Sequence, residues 1–99
     1  MASLQQDKDG RNIGMYAVSN RLEDVAIKAL DNKEASLQQD FFGNNIGMWA
    51  ALWKLKNVAM KSMENKAAAT QKNLESKTIL YIAKENGLIK FDNEEVKVM

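Results

Sequence analysis

"SLQQDKDGRNIGMYAVSN" occupies residues 3–20, and "SLQQDFFGNNIGMWAALW" occupies residues 36–53. The second stretch keeps the frame of the first and changes what stands inside it. Lys8-Asp9 becomes Phe41-Phe42, and Ser19-Asn20 becomes Leu52-Trp53. The copy extends further: residues 3–35 and 36–68 align without a gap and are identical at 18 of 33 positions. Another step of 33 carries Gly43 to Ser76, Asn45 to Thr78, Ile46 to Ile79 and Ala50 to Ala83, within the degenerate but in-phase "NLESKTILYIAKENGLIKF". A gapless doubled period of this length marks a repeat architecture. The units are set at approximately 3–35, 36–68 and 69–99, within a single domain spanning 1–99.

Inside a unit the apolar spacing predicts two short helices, over 13–20 and 23–32 in the first copy. Ile13, Tyr16, Ala17 and, weakly, Asn20 share one stripe; Val25, Ala26, Ala29 and Leu30 share the other, answered by Val58, Ala59, Ser62 and Met63 in the second unit. Asn32 and Asn65 are read as helix-ending residues, because Asn tolerates the left-handed conformation a C-cap needs. From Lys33 to Gly43 the chain is polar with a glycine near its end, which predicts a loop or hairpin leading into the next unit. Helices this short do not hold alone. Small residues such as Ala17, Ala26, Ala50 and Ala59 allow close approach, so each unit is expected to be stabilised by its neighbour.

At these residues the chain resembles the ankyrin-repeat family. Thr78, Leu80, Ala83 and Gly87 match the Thr, Leu, Ala and helix-ending Gly of that family's signature. Asp7-x-x-Gly10-x-Asn12 and Asp40-x-x-Gly43-x-Asn45 resemble its Asp-x-x-Gly-x-Thr start, and the period is the same. The departures are as specific. Ile13, Ile46 and Ile79 hold the Pro place, Gly14 and Gly47 the Leu place, Met15, Met48 and Tyr81 the His place, and Arg21 and Lys54 the Gly before the second helix. The resemblance implies an all-α solenoid of about three stacked helix-turn-helix units with connecting hairpin loops, serving as a protein–protein interaction scaffold. It also implies that partner contacts come from the hairpin tips and the exposed face of the first helix.

On that reading the partner-binding residues are Phe41, Phe42, Asn44, Leu52 and Trp53, with Lys8, Asp9 and Arg11 beside them. Polar groups fill the matching places in the first unit, and an exposed aromatic cluster usually marks an interaction site. The alternative is that Phe41, Phe42 and Trp53 pack as plain core. Trp49 replaces Tyr16, aromatic for aromatic, and is read as structural. The first unit begins with no special cap, so the chain is either part of a longer array or covers its end by self-association as a homo-oligomer. "FDNEEVKVM" (91–99) is read as a C-terminal cap or a frayed tail.

Composition narrows the function classes. The 99 residues carry 14 Lys+Arg and 13 Asp+Glu, a net charge of +1, which gives no bulk pull toward nucleic acid or anionic membrane. With no Cys and no His, thiolate chemistry is excluded and the commonest general base and metal ligand are missing. "DKDGRN" lacks the distal bidentate Glu of a calcium loop. Glu94-Glu95 reads as a solvated face. Lys54, Lys56 and Lys61 are too scattered for a strand-binding track, and "FFGNNIG" has neither the spacing nor the lysine of a phosphate loop. No catalytic residue, metal or cofactor is expected, nor a nucleic-acid or membrane partner. A polar N-terminus and the lack of a long apolar run place the chain in the cytoplasm, and are compatible with export that uses no cleaved signal.

Overall fold

The computed structural model describes residues 4–89. Among them the chain is all-α, with seven short helices and no strand. In order these are α1 (Ile13–Ser19), α2 (Glu23–Leu30), α3 (Lys33–Leu37), α4 (Ile46–Leu52), α5 (Lys56–Met63), α6 (Lys66–Thr70) and α7 (Ile79–Glu85). The predicted pair is present in the first two units, where a third helix follows it; of the third unit the described residues include the first helix, α7. The segment 33–43, expected as loop or hairpin, opens with α3, and its counterpart opens with α6.

The reason lies in Asn32 and Asn65. Neither terminates the preceding helix in a left-handed conformation; their φ values are −88° and −86°. Each side chain instead accepts the N–H groups two and three residues ahead, Glu34 and Ala35 in one case and Ala67 and Ala68 in the other. Asn is as good an N-cap as it is a C-cap, and here the cap function starts a helix. Helices α2 and α5 end one residue earlier, at Asp31 and Glu64 in right-handed conformation.

The buried face of α1 is Gly14, Met15, Ala17 and Val18, so the stripe is rotated from the one expected: Ile13, Tyr16 and Asn20 are exposed. In α2 the face is Ala26, Ala29 and Leu30, with Val25 outside. One apolar cluster runs from α1 to α7 through Met15, Ile46, Met48, Val58, Ile79 and Ile82. Helices of like register are neighbours: α1 meets α4, α4 meets α7, α2 meets α5, and α3 meets α6. The glycines at the Leu place explain how closely they meet. A Cβ on Gly14 would lie 2.3 Å from Ile46 Cδ1, and one on Gly47 would lie 2.4 Å from Ile79 Cδ1. The isoleucine of each following unit thus fills the space the glycine leaves. The segment 91–99 lies outside the described residues.

Candidate functional site

Three tight turns recur along one edge of the molecule, and an identical set of bonds closes each. Asp7 Oδ1 accepts the N–H groups of Asp9 and Arg11, Asp40 Oδ1 those of Phe42 and Asn44, and Asn73 Oδ1 those of Glu75 and Lys77. Gly10 and Gly43 complete the first two turns at φ +82° and +83°, and Ser76 adopts the same left-handed region at φ 65°. Short Asx side chains that bond the backbone two residues on are good turn formers. None of these bonds uses the side chains at the two central positions. The backbone is fixed without those side chains.

Lys8 and Asp9 stand there in the first turn, Phe41 and Phe42 in the second, Leu74 and Glu75 in the third. Phe41 is 68% exposed, Phe42 66% and Leu74 75%. The turns are joined edge to edge: the Phe41 N–H donates to Asp9 O and the Leu74 N–H to Phe42 O, both at 3.0 Å. Three large apolar side chains therefore sit on successive linked tips. Leu74 is a member the sequence reading missed, although the step of 33 from Phe41 leads directly to it. Phe42 and Leu74 also line a small cleft with Asn44 and Asn73.

Two expected members stand elsewhere. Leu52 and Trp53 are exposed, but at the far end of the seven-residue α4, about 10 Å along the helix from its N-terminus. There the Arg21 guanidinium donates to Trp53 O at 3.1 Å. They form a second exposed pair and are separate from the tips. Asn44 is partly engaged, because its Oδ1 accepts the Asn73 amide at 2.9 Å. Arg11 lies with its guanidinium 5.3 Å from the centre of the Trp49 ring, a cation–π arrangement. Trp49 is half-buried and donates its indole N–H to Asp40 Oδ2 at 2.9 Å, and Tyr16 donates its hydroxyl to Asp7 Oδ2 in the same register. The exchange of Tyr for Trp thus preserves a donor to the turn carboxylate. That hydroxyl, with the Arg11 N–H behind it, holds the Asp7 carboxyl below its ordinary range, while Asp7 raises the Tyr16 hydroxyl. Lys77 is held above its ordinary value by Glu85 first and Glu75 after it.

Behind the tips runs a ladder of amides. Asn12 caps α1 by accepting the Met15 N–H and donates onward to Ala35 O and Gln38 Oε1; Asn45 caps α4 and donates to Ala68 O and Gln71 Oε1. The Gln38 and Gln71 amides in turn donate to Leu4 O and Leu37 O, one unit back. Gln6 and Gln39 span adjacent turns in the same way, reaching Gln39 O and Lys72 O. The Met15 and Met48 side chains at the His place are wholly buried, and bridging falls to Asn and Gln.

Among the described residues no group of three or more carboxylates is placed to hold a metal ion, and no helix is long and apolar enough to cross a membrane. No protein-family model and no curated protein matches the chain.

Proposed function

We propose that this chain is a protein-recognition scaffold built as an ankyrin-like solenoid, and that its partner is held on the tips of the connecting turns. Phe41, Phe42 and Leu74 are the apolar contact, Lys8, Asp9 and Asn44 its polar border, and Arg11 with the Trp49 face the flank. Leu52 and Trp53 make a second contact at the far end of α4. No catalytic step belongs to this reading.

The observation that carries it is the division of labour in the turn. The Asp and Gly positions close the backbone by the same bonds whether Lys8 and Asp9 or Phe41 and Phe42 stand between them. Two adjacent phenylalanines exposed by two thirds are unfavourable in water unless something covers them. Phe and Trp are also efficient contact residues, since they present a large rigid area for two side-chain torsions.

The repeat supplies its own test. Phe41→Lys, Phe42→Asp, Leu52→Ser and Trp53→Asn together restore the side chains that the first unit already carries in this frame. Proteins captured on the wild-type chain from its native extract, identified by mass spectrometry, are expected to be lost on the restored chain. Recovery of the same proteins by both chains at equal yield would remove the proposed surface.

A further inference from the structure

Each internal junction between units is made by three features that recur in register. Ile46 and Ile79 insert against Gly14 and Gly47 and are fully buried. The side chains of Gln38 and Gln71 accept an Asn amide and donate to a backbone carbonyl one unit back. The N–H groups of Phe41 and Leu74 donate to the carbonyl of the preceding tip. The first unit presents the same three features with nothing against them among the described residues. Ile13 is 42% exposed where Ile46 and Ile79 are 0% exposed. Gln5 stands in register with Gln38 and makes none of its bonds, and Lys8 N–H stands in register with Phe41 N–H. Gln5 and Ile13, with Asn12 and Tyr16, line a groove of about 540 Å³.

We infer that this groove is a docking face for a further repeat unit of the same 33-residue type. The face is continuous with the two junctions already in the molecule, so its chemistry specifies the occupant. Opposite Ile13 the occupant must carry glycine, because the internal junctions leave no room for a Cβ. For Gln5 it must offer an Asn side-chain amide and a backbone carbonyl, and for Lys8 N–H a tip carbonyl. A second copy of this chain does not meet these terms at its third unit. Leu80 stands where Gly14 and Gly47 stand, and Thr78, which has no amide, stands where Asn12 and Asn45 stand. Head-to-tail self-assembly through this third unit is thus disfavoured at two positions, and the occupant is a repeat unit that keeps both the Gly and the Asn. This inference rests on the stacked-unit part of the proposed function and not on the tip surface.

The test uses the full chain against an immobilised synthetic array of three tandem copies of residues 36–68. The array carries Lys and Asp at its tips, and its first Ile46 is replaced by Lys to close its own groove. The wild-type chain is expected to bind saturably. Ile13→Lys in the chain, or Gly47→Leu in the last copy of the array, should weaken binding at least tenfold, and Gln5→Ala several-fold should Ile13→Lys fail to fold. Phe41→Lys/Phe42→Asp in the chain should leave binding unchanged, which separates this face from the tips. A folded array that does not bind, or binding that neither Ile13→Lys nor Gly47→Leu weakens, overturns the inference alone. An array that fails to fold cooperatively overturns it together with the stacked-unit reading. A wild-type homodimer abolished by Ile13→Lys, with no binding to the array, assigns the face to a second copy and overturns the choice of occupant.

Discussion

Asn45 does two jobs, and substitutions can take them away one at a time. Its Oδ1 caps α4 by accepting the Met48 N–H at 2.9 Å, and its amide bridges to Ala68 O and Gln71 Oε1 at 3.3 and 2.8 Å. The side chain is fully buried. Asn45→Ala loses the cap, about 1 kcal/mol, and takes the amide donor from Gln71 Oε1 and one of two donors from Ala68 O, whose other is the Gln71 N–H, about 1–3 kcal/mol more. The sum is about 2–4 kcal/mol, a large fraction of what a domain of this size holds in reserve. Asn45→Thr keeps the cap, as Thr78 does for α7 through the Tyr81 N–H, and loses only the bridge. It should therefore recover about 1 kcal/mol relative to Ala. Urea unfolding followed by the fluorescence of Trp49 and Trp53 measures all three chains. If Asn45→Ala costs less than about 0.5 kcal/mol, the range of an ordinary surface change, the amide ladder does not couple the units. If Thr restores full stability, the bridge is idle and the cap alone matters.

Lys54 is held at φ 62° at the place where the resembling family has glycine, so Lys54→Gly should stabilise the chain by about 0.5–1 kcal/mol once the greater freedom of unfolded glycine is subtracted. A destabilised variant in thermal unfolding would contradict this. Gly43→Ala adds a Cβ at φ +83° that falls 2.8 Å from Asn73 Cα and Leu74 N, whereas Gly87→Ala at φ +77° meets nothing within 4 Å. The first should cost more than about 2 kcal/mol and the second about 1 kcal/mol, and equal losses in the same assay would refute the close approach of the turns. The Tyr16–Asp7 bond sets a pH window. Asp7, lowered in the folded chain, contributes stability that is lost as pH falls through its folded value, and Tyr16, raised in the folded chain, contributes stability that is lost as pH rises through its own. The difference in unfolding midpoint between wild type and Tyr16→Phe should be greatest between about pH 5 and 9 and shrink on both sides; a difference that does not vary with pH refutes the pairing.

The repeat was legible because 18 of 33 positions survive the duplication, and two of the three helices in each of the first two units followed from apolar spacing. The third helix did not. Asn32 and Asn65 are ambiguous in sequence, since the same amide can end one helix or begin the next, and only the positions of Glu34 and Ala35 N–H decide it. The stripe on α1 was misplaced for a related reason: in seven residues, too few to fix a phase, Ile13 and Tyr16 look core-facing. Gly14 is the true contact, made visible only by Ile46 lying on it. Of the candidate site, Phe41 and Phe42 were legible from the contrast with Lys8 and Asp9. Leu74 was hidden because the third copy is degenerate. The separation of Leu52-Trp53 from the tips follows from helix length and not from any residue type.

The division between frame and surface is tested most directly by the unfolding free energy of the four-fold restored chain: Phe41→Lys, Phe42→Asp, Leu52→Ser and Trp53→Asn. All four side chains are exposed, so the predicted result is a stability within about 0.5 kcal/mol per site of wild type. A loss of several kcal/mol, of the size seen when large side chains are cut from a core, would mean that these residues hold the molecule together and are not available to a partner.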